Sequence, residues 1–178
     1  MSKLHLNRRM IMNSFQPITP ESISDNTFRA IGKDWFLVTA QTGGVANTMT
    51  ASWGGFGIMW GKPVVFVVVR ESRYTKEFMD KENAFSLSFF PSKYKKMLSY
   101  LGSASGRDED KIKIAGLTLI EDDIPYFKEA RLVLKAKTLY KQEMSPNCFL
   151  DPALPNRWYP NGNYHTMYVA EITETLEK

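Results

Sequence analysis

The stretch Pro63-Val64-Val65-Phe66-Val67-Val68-Val69 decides the fold class of this chain. Its six consecutive apolar residues, five of them valine, predict a strand that is buried on both faces. The run is far too short to span a bilayer. It ends at Arg70, and a short helix is predicted from residue 74 or 75 to residue 81, with Ser72 or Thr75 as its N-cap.

Other strands are predicted on both sides of this stretch because β-branched and aromatic residues recur between turn residues. They are residues 35–40, 45–52, 84–89, 131–140 and 166–173. The first two are predicted to form a hairpin that turns at Gly43-Gly44. Short strands joined by tight turns favour a mainly β protein, an antiparallel barrel with short inserted helices, over a doubly wound sheet.

The segments between these strands predict short helices and one long loop. Helices are expected over residues 92–101, ended by Gly102, and over residues 108–115, ended by Gly116. Residues 144–163 contain four prolines and are predicted to be a long loop. Gly54, Gly55 and Gly57 are interpreted as positions where the backbone bends or lets another group approach closely.

Length and composition narrow the function classes. A chain of 178 residues is predicted to form one domain, residues 1–178, with residues 1–27 as an N-terminal arm. The net charge of +4 is spread over many short stretches, so no nucleic-acid partner is expected. Met1 to Phe15 lack the apolar core of a signal peptide, and a cytoplasmic protein without membrane partners is predicted. A single cysteine, Cys148, and two distant histidines, His5 and His165, predict neither a disulfide nor a zinc site.

The sequence contains none of the common catalytic or nucleotide-binding motifs. It has no glycine-rich fingerprint after a strand, no P-loop, no metalloprotease motif and no nucleophile elbow. Any chemistry is therefore expected to be carried by a cofactor, and no catalytic side chain is predicted.

Two segments contain the candidate binding residues. In residues 47–53, alternate side chains share a face, so the hydroxyl groups of Thr48, Thr50 and Ser52 lie on one side of the predicted strand. This side either leaves room for a flat ring or is an ordinary outward strand face. Residues 70–75 join a strand to a helix, and a helix N-terminus with arginines either binds a phosphate or is an ordinary cap with an arginine in solvent. The candidates are Asn47, Thr48, Met49, Thr50, Ala51, Ser52, Trp53, Arg70, Ser72, Arg73 and Thr75.

Residues 47–53, the strand from Pro63 and the turn Ser72-Arg73-Tyr74-Thr75, in this order along the chain, resemble the flavin reductase-like family of FMN-binding split barrels, which includes flavoredoxins. The resemblance also uses residues 85–90, the stretch Gly102 to Asp108 with Asp110 and Lys111, and the end from Tyr164 to Ile172. It covers roughly residues 28 to 175. It implies an FMN-binding split β-barrel that forms a homodimer, with FMN near the dimer interface.

The resemblance also implies roles for individual residues. Thr48 to Ser52 would lie along the isoalloxazine and ribityl chain, and Arg70, Ser72, Arg73 and Thr75 would hold the phosphate. Ser88 and Phe89 would complete the pocket, and Trp53 would be a wall of the site or a dimer contact. His165 is interpreted as a hydrogen-bonded surface or interface residue rather than a catalytic one.

Three functions stay open from the sequence. The first is an NAD(P)H-dependent flavin reductase, and the second is a flavoredoxin-like electron carrier reduced by a partner protein. The third is a split barrel that has lost flavin and binds another planar ligand.

Overall fold

The computed structural model describes residues 14–178, and its main feature is an open, curved sheet of eight antiparallel strands. The neighbours along the sheet are β3-β2-β6-β9-β10-β5-β4, and β1 pairs with β10 beside this path. The strands are β1 Gln16–Ile18, β2 Phe36–Thr42, β3 Val45–Ala51, β4 Gly54–Met59, β5 Lys62–Arg70, β6 Ala84–Phe89, β9 Leu132–Glu143 and β10 His165–Glu177. A two-stranded sheet is formed by β7 Leu119–Ile120 and β8 Tyr126–Phe127. The prediction of a mainly β chain is confirmed.

The curved sheet has a core on each of its faces. One core is enclosed by the sheet and contains Phe36, Val67 and Leu134. The other lies outside, where Leu37 and Val133 pack against residues of the helices, such as Leu98. Because β3 and β4 are the two ends of the sheet path and are joined by Ser52 and Trp53 alone, the sheet ends meet at this short connection.

The valine-rich strand has the predicted position and is longer than the predicted residues 64–69. Lys62–Arg70 pairs with β10 on one side and with β4 on the other. Val64, Val65, Val67 and Val69 are fully buried. Phe66 and Val68 are only half-buried, so burial on both faces is incomplete along this strand.

Within residues 14–178, five short α-helices are inserted between the strands. They are α1 Thr27–Arg29, α2 Tyr74–Glu82, α3 Lys95–Ser103, α4 Lys111–Ile114 and α5 Ala153–Trp158. The predicted helix over residues 74–81 is confirmed by α2. The prediction that Gly102 ends the next helix is wrong, because α3 continues to Ser103 and is capped by Ala104. The helix predicted over residues 108–115 is shorter in the structure, where it is α4. Asp110 is its N-cap and accepts a hydrogen bond from the Lys113 N–H, so the helix begins only at Lys111.

Two elements differ from the sequence predictions for a physical reason. Gly54–Met59 is a full strand that was not predicted, since its three glycines were interpreted as positions of a bend or of a close approach, and the structure shows the close approach. Gly55 and Gly57 lie against the Phe66 ring, so a neighbouring side chain fills the space that their own side chains lack. The segment predicted as a loop contains α5, because a proline is tolerated in the first turn of a helix and Pro155 is there.

The predicted N-terminal arm is described only from residue 14. Residues 1–13, including His5, lie outside the described residues. In the described part, Phe15 is buried and Gln16–Ile18 pairs with the end of β10. The extent of the arm and the assignment of residues 1–178 to one domain stay predictions. Among residues 14–178, no helix is long and apolar enough to cross a membrane.

Candidate functional site

A cleft of about 270 Å³ opens where the two sheet ends meet. The last residues of β3 and the β3–β4 connection form one wall, and Val68 of β5 lies beside them. We call it the aromatic cleft, and its lining residues are Met49, Thr50, Ala51, Ser52, Trp53, Val68, Arg70, Arg73, Trp158 and His165.

A second, smaller cleft of about 110 Å³ lies next to it. The two clefts share Met49 and Arg73. We call the smaller one the anion cleft, and its lining residues are Asn47, Met49, Ser72, Arg73, Tyr74, Thr75, Ser103, Ala104, Ser105, Gly106 and Lys111. The two clefts together therefore form an elongated site with one aromatic end and one hydroxyl-rich end.

The anion cleft carries positive charge that the protein itself leaves unpaired. Arg73 and Lys111 of this cleft form no salt bridge with any carboxylate of residues 14–178, and neither does Arg70 of the adjoining aromatic cleft. Burial and the nearby charge of Arg70 lower the pKa of Arg73. Burial and the charge of Arg73 lower the pKa of Lys111 to about 8, against a smaller opposing effect of Glu109. A bound anion would relieve this mutual repulsion.

Lys111 is held so that it still has a donor for a ligand. The side chain is almost fully buried, and Nζ donates to the carbonyl oxygens of Leu101 at 3.1 Å and Ala104 at 2.9 Å. An ammonium group has three N–H donors, so one stays available at the cleft. The guanidinium of Arg73 donates one bond, 2.8 Å long, to the carbonyl oxygen of Gly102 and keeps further donors.

Two hydroxyl groups of the anion cleft are also arranged to donate. Asn47 Nδ2 donates to Thr75 Oγ1 at 2.9 Å, and Asn163 Nδ2 donates to Ser72 Oγ at 2.8 Å. Because each hydroxyl oxygen accepts from an amide, its own hydrogen is left to donate. The predicted N-cap role of Ser72 or Thr75 is wrong, because the N-cap of α2 is Arg73 and no side chain accepts its first N–H groups. The N–H groups of Tyr74 and Thr75 are thus also available to an anion, whereas that of Lys76 donates to the carbonyl oxygen of Arg73.

Gly106 is required for this arrangement. A side-chain carbon at this position would lie 2.2 Å from Asn47 Oδ1. Asn47 is buried and bonded to Thr75, so any larger residue would have to displace the amide that orients the Thr75 hydroxyl. Close packing of a backbone against a polar side chain explains the glycine.

Aromatic rings and one histidine form the other end of the site. The Trp53 ring lies 5.0 Å from the Trp158 ring, edge to face, and 5.1 Å from the His165 ring. Tyr159 Oη and His165 Nδ1 are 2.8 Å apart, which fixes the orientation of the imidazole. Burial and the charges of Arg70 and Arg73 lower the pKa of His165 to about 4, so the ring is neutral near pH 7.

We expect His165 to make the protein less stable as the pH falls from 6.5 to 4. Its pKa is about 4 in the folded chain and 6.5 as an ordinary histidine, so the unfolded chain binds the proton first. The contribution of the neutral ring is complete above about pH 6.5 and is lost as the pH approaches 4. The free energy of urea unfolding, measured for wild type and His165→Gln across this range, should fall more steeply in wild type. Parallel pH curves for the two proteins would contradict the assignment.

The structure brings together most of the residues predicted from the sequence. Asn47, Met49 to Trp53, Arg70, Ser72, Arg73 and Thr75 all line one cleft or both. Thr48 does not, because its buried hydroxyl is bonded to Thr39 Oγ1 and to the Val38 carbonyl. The hydroxyl of Thr50 also has a partner, since it donates to the carbonyl of Leu98 at 2.6 Å. The hydroxyls of Thr48 and Thr50 are thus bonded to β2 and α3 and do not form a free face.

Ser88 and Phe89 lie away from the clefts. Both are buried in β6 and line neither cleft. Phe89 packs against Phe36 and Phe56 in the enclosed core. The expectation that they complete the pocket is therefore not met, because β2 separates β6 from the β3 end of the sheet.

Lys111 and Trp158 are lining residues that were not among the predicted site residues. A signal for Lys111 exists in the sequence, since it belongs to the stretch after Gly102 on which the family resemblance partly rests. Trp158 lies in the segment predicted as a loop, and no sequence pattern places its ring against Trp53.

Residues 28–177 match the family model described as the flavin reductase like domain. The chain belongs to the flavin reductase-like family. This family membership supports a flavin-related oxidoreductase function. Comparison with curated proteins finds no significant match.

Solved structures of similar fold agree with this family. A flavoredoxin from Methanosarcina acetivorans is 23% identical, with a TM-score of 0.65 over 82% of this chain and 68% of that chain. An FMN-binding domain of a flavin reductases-like enzyme from Shewanella baltica OS155 is 18% identical, with a TM-score of 0.66 over 92% and 76%. A flavoredoxin of Desulfovibrio vulgaris (Miyazaki F) is 22% identical, with a TM-score of 0.64 over 90% and 77%. The open sheet and these neighbours confirm the predicted split-barrel fold.

Proposed function

We propose that this flavin reductase-like protein binds FMN across the two clefts and acts as an NAD(P)H-dependent flavin reductase. The observation that carries the proposal is the elongated site itself, which joins an aromatic cleft to a cleft with unpaired cations. FMN is the cofactor that the family and its FMN-binding relatives support. Its flat ring and its phosphate match the two ends of the site in chemistry.

The phosphate would be held in the anion cleft. Arg73 and Lys111 would supply charge, and Ser72 and Thr75 would donate from their free hydroxyl hydrogens. Charge-assisted bonds of this kind are shorter and stronger than neutral ones. The main chain of residues 49–53 would lie along the ring and ribityl chain, since the Thr50 hydroxyl already has a protein partner.

The protein would position the flavin and exclude water from it, and would not supply a catalytic acid or base. Bound FMN would itself supply hydride and electron transfer. Trp53 and Trp158 line the aromatic cleft, and a flat ring bound against them would lose contact with water on that side. His165 is neutral near pH 7 and is held by Tyr159, so it can offer a hydrogen bond without adding charge. The absence of a catalytic carboxylate among the lining residues fits this division of labour.

The function is tested by a spectrum followed by a turnover assay. Purified protein is loaded with FMN and desalted, and retained flavin absorbance establishes cofactor binding. NADH or NADPH is then added with free FMN or a ferric complex as acceptor. Sustained oxidation of either nucleotide supports the reductase. Tight FMN with no nucleotide oxidation would overturn it in favour of a flavoredoxin-like electron carrier that takes electrons from a partner protein.

Lys111→Gln should weaken FMN binding by roughly tenfold or more and change riboflavin binding little, because only FMN carries the phosphate. The matched control is Lys113→Gln, which removes the same charge from an exposed position in the same helix. Both dissociation constants are obtained from quenching of flavin fluorescence. Equal effects of the two substitutions would show that Lys111 acts only through net charge.

We also propose that the protein forms a homodimer, as the family resemblance implies. Exposed apolar side chains support this proposal, since Ile58 of β4 and Trp60 of the β4–β5 turn are more than half exposed and Tyr140 of β9 is 41% exposed. The rings of Trp60 and Tyr140 are 6.4 Å apart and form a continuous patch. Sedimentation equilibrium tests the proposal, and a monomer mass at micromolar concentration would reject it. A cytoplasmic location stays a prediction from the sequence.

A further inference from the structure

Two segments of the site that are distant in sequence are tied together by hydrogen bonds. The first is the 70–75 turn, which carries Arg73, Ser72 and Thr75 of the anion cleft. The second is the 153–165 segment, which consists of α5 and the chain up to the first residue of β10. It carries Trp158 and His165 of the aromatic cleft.

Arg70 holds the 153–165 segment through its main chain. Its Nη1 donates to the carbonyl oxygen of Asn163 at 2.8 Å, and its Nη2 donates to the carbonyl oxygen of Trp158 at 3.0 Å. The guanidinium also lies over the Tyr159 ring, 5.1 Å from its centre. Both terminal nitrogens of Arg70 are thus directed at the segment, although the sequence predicted a phosphate ligand here.

The side chain of Asn163 bonds in turn to Ser72 of the 70–75 turn. Its Nδ2 donates to Ser72 Oγ at 2.8 Å, and its Oδ1 accepts from the Ser72 main-chain N–H at 3.4 Å. The Glu71 N–H adds a bond of 3.3 Å to the carbonyl of Tyr164. Asn163 is therefore the one side chain of the 153–165 segment that bonds directly to a lining residue of the anion cleft, among the residues that the structure describes.

We propose that Asn163 is a positioning residue that couples the two clefts, so that an anion on the 70–75 turn strengthens the binding of a flat ring beside Trp53. The inference rests on the proposed function and extends it. Without an anion, the charges of Arg70 and Arg73 repel each other within the turn. An anion offsets this repulsion and holds Ser72, and Ser72 holds Asn163. Asn163 and Arg70 then hold Trp158 and the segment leading to His165 against the ring.

The coupling has a thermodynamic consequence that can be measured with the two halves of FMN. Riboflavin supplies the ring without the phosphate, and inorganic phosphate supplies the anion. If the clefts are coupled, phosphate raises the affinity for riboflavin, and riboflavin raises the affinity for phosphate by the same factor. A typical coupling would change each dissociation constant by about 5-fold or more.

The experiment titrates riboflavin into the flavin-free full chain with and without inorganic phosphate, at constant ionic strength adjusted with sodium chloride. For wild type, the dissociation constant of riboflavin should be lower by about 5-fold or more with phosphate than without it. Asn163→Ala should abolish this gain. Asn156→Ala should keep it, because Asn156 is exposed in α5 and the described residues give its side chain no hydrogen bond. Asn163→Ser is the second variant if the alanine variant does not fold.

The outcomes separate this inference from the proposed function. If wild type binds FMN tightly but phosphate leaves riboflavin affinity unchanged, the coupling is wrong and the FMN site stands. If Asn163→Ala and Asn163→Ser keep the full gain, the clefts are coupled by another route, the role of Asn163 is wrong and the FMN site stands. If wild type binds neither FMN nor riboflavin, the proposed function fails and the coupling fails with it.

Discussion

Replacing Arg73 by glutamine is expected to weaken FMN binding by roughly 10- to 150-fold and to leave riboflavin binding almost unchanged, because a charged hydrogen bond is worth about 1.5–3 kcal/mol. Arg73 is the only arginine shared by the two clefts and has no carboxylate partner among the described residues. Its loss would leave an anion with Lys111 as the single lining cation of the smaller cleft. The two dissociation constants come from fluorescence titrations of wild type and variant.

The control for Arg73 is Arg29→Gln. Arg29 is 75% exposed and pairs only with Asp34, so its removal changes net charge by the same amount without touching the site. It should leave the ratio of FMN to riboflavin affinity unchanged. A loss of equal size for both flavins in Arg73→Gln would mean that the arginine maintains the shape of the site and does not bind the phosphate.

Gly54→Ala is expected to destabilise the fold by about 3 kcal/mol or more, because two costs add at one position. The backbone has a φ of +150°, a conformation that residues with side chains rarely adopt. In addition, a side-chain carbon would lie 2.2 Å from the carbonyl oxygen of Phe66, which is main chain of the neighbouring strand and has little room to move. Urea unfolding monitored by circular dichroism measures the loss.

Gly57→Ala is the matched control for Gly54→Ala. It lies in the same strand, and a side-chain carbon there would be 3.6 Å from the Phe66 ring, an ordinary contact. Its φ lies outside the positive range, so we expect a loss of less than about 1 kcal/mol from the change of residue. If Gly57→Ala costs as much as Gly54→Ala, the close approach to the Phe66 carbonyl is not the cause.

Gly54 also matters for the site because it follows Trp53 at the junction of the two sheet ends. Because Gly54 can approach the Phe66 carbonyl closely, β4 begins immediately after Trp53. Trp53 is thereby held beside Trp158 and His165. A Gly54 variant that still folds should therefore show weaker riboflavin binding than Gly57→Ala does, since the wall of the aromatic cleft would shift.

Local patterns in the sequence were sufficient for several elements. The run of valines predicted β5, since six apolar residues in succession are typical of a strand that is buried on both faces. Gly43-Gly44 predicted the hairpin of β2 and β3, where both glycines have positive φ. The helix Tyr74–Glu82 was predicted from residue 74 or 75 to residue 81, together with the arginine-containing turn before it. A strand end, a turn and an amphipathic helix each have a short-range signal.

The positions of the partners of these elements required the tertiary structure. Gly54–Met59 has no strand signal of its own, and it is a strand because Phe66 fills the space over its glycines. The hydroxyls of Thr48 and Thr50 were expected to face a ligand, but α3 and β2 supply closer partners for them. A sequence pattern tells which residues share a face, whereas it does not tell what covers that face.

By itself, the sequence determined the strand-rich fold, the family and most of the side chains that line the two clefts, since these follow from periodicity and from short motifs. The tertiary structure decided which of these residues meet. It brought Lys111 next to Arg73 and the 153–165 segment against the 70–75 turn, contacts between residues far apart in the chain. Such contacts depend on how the sheet curves and on which carbonyls and hydroxyls remain unpaired in the folded chain, and no local pattern encodes either.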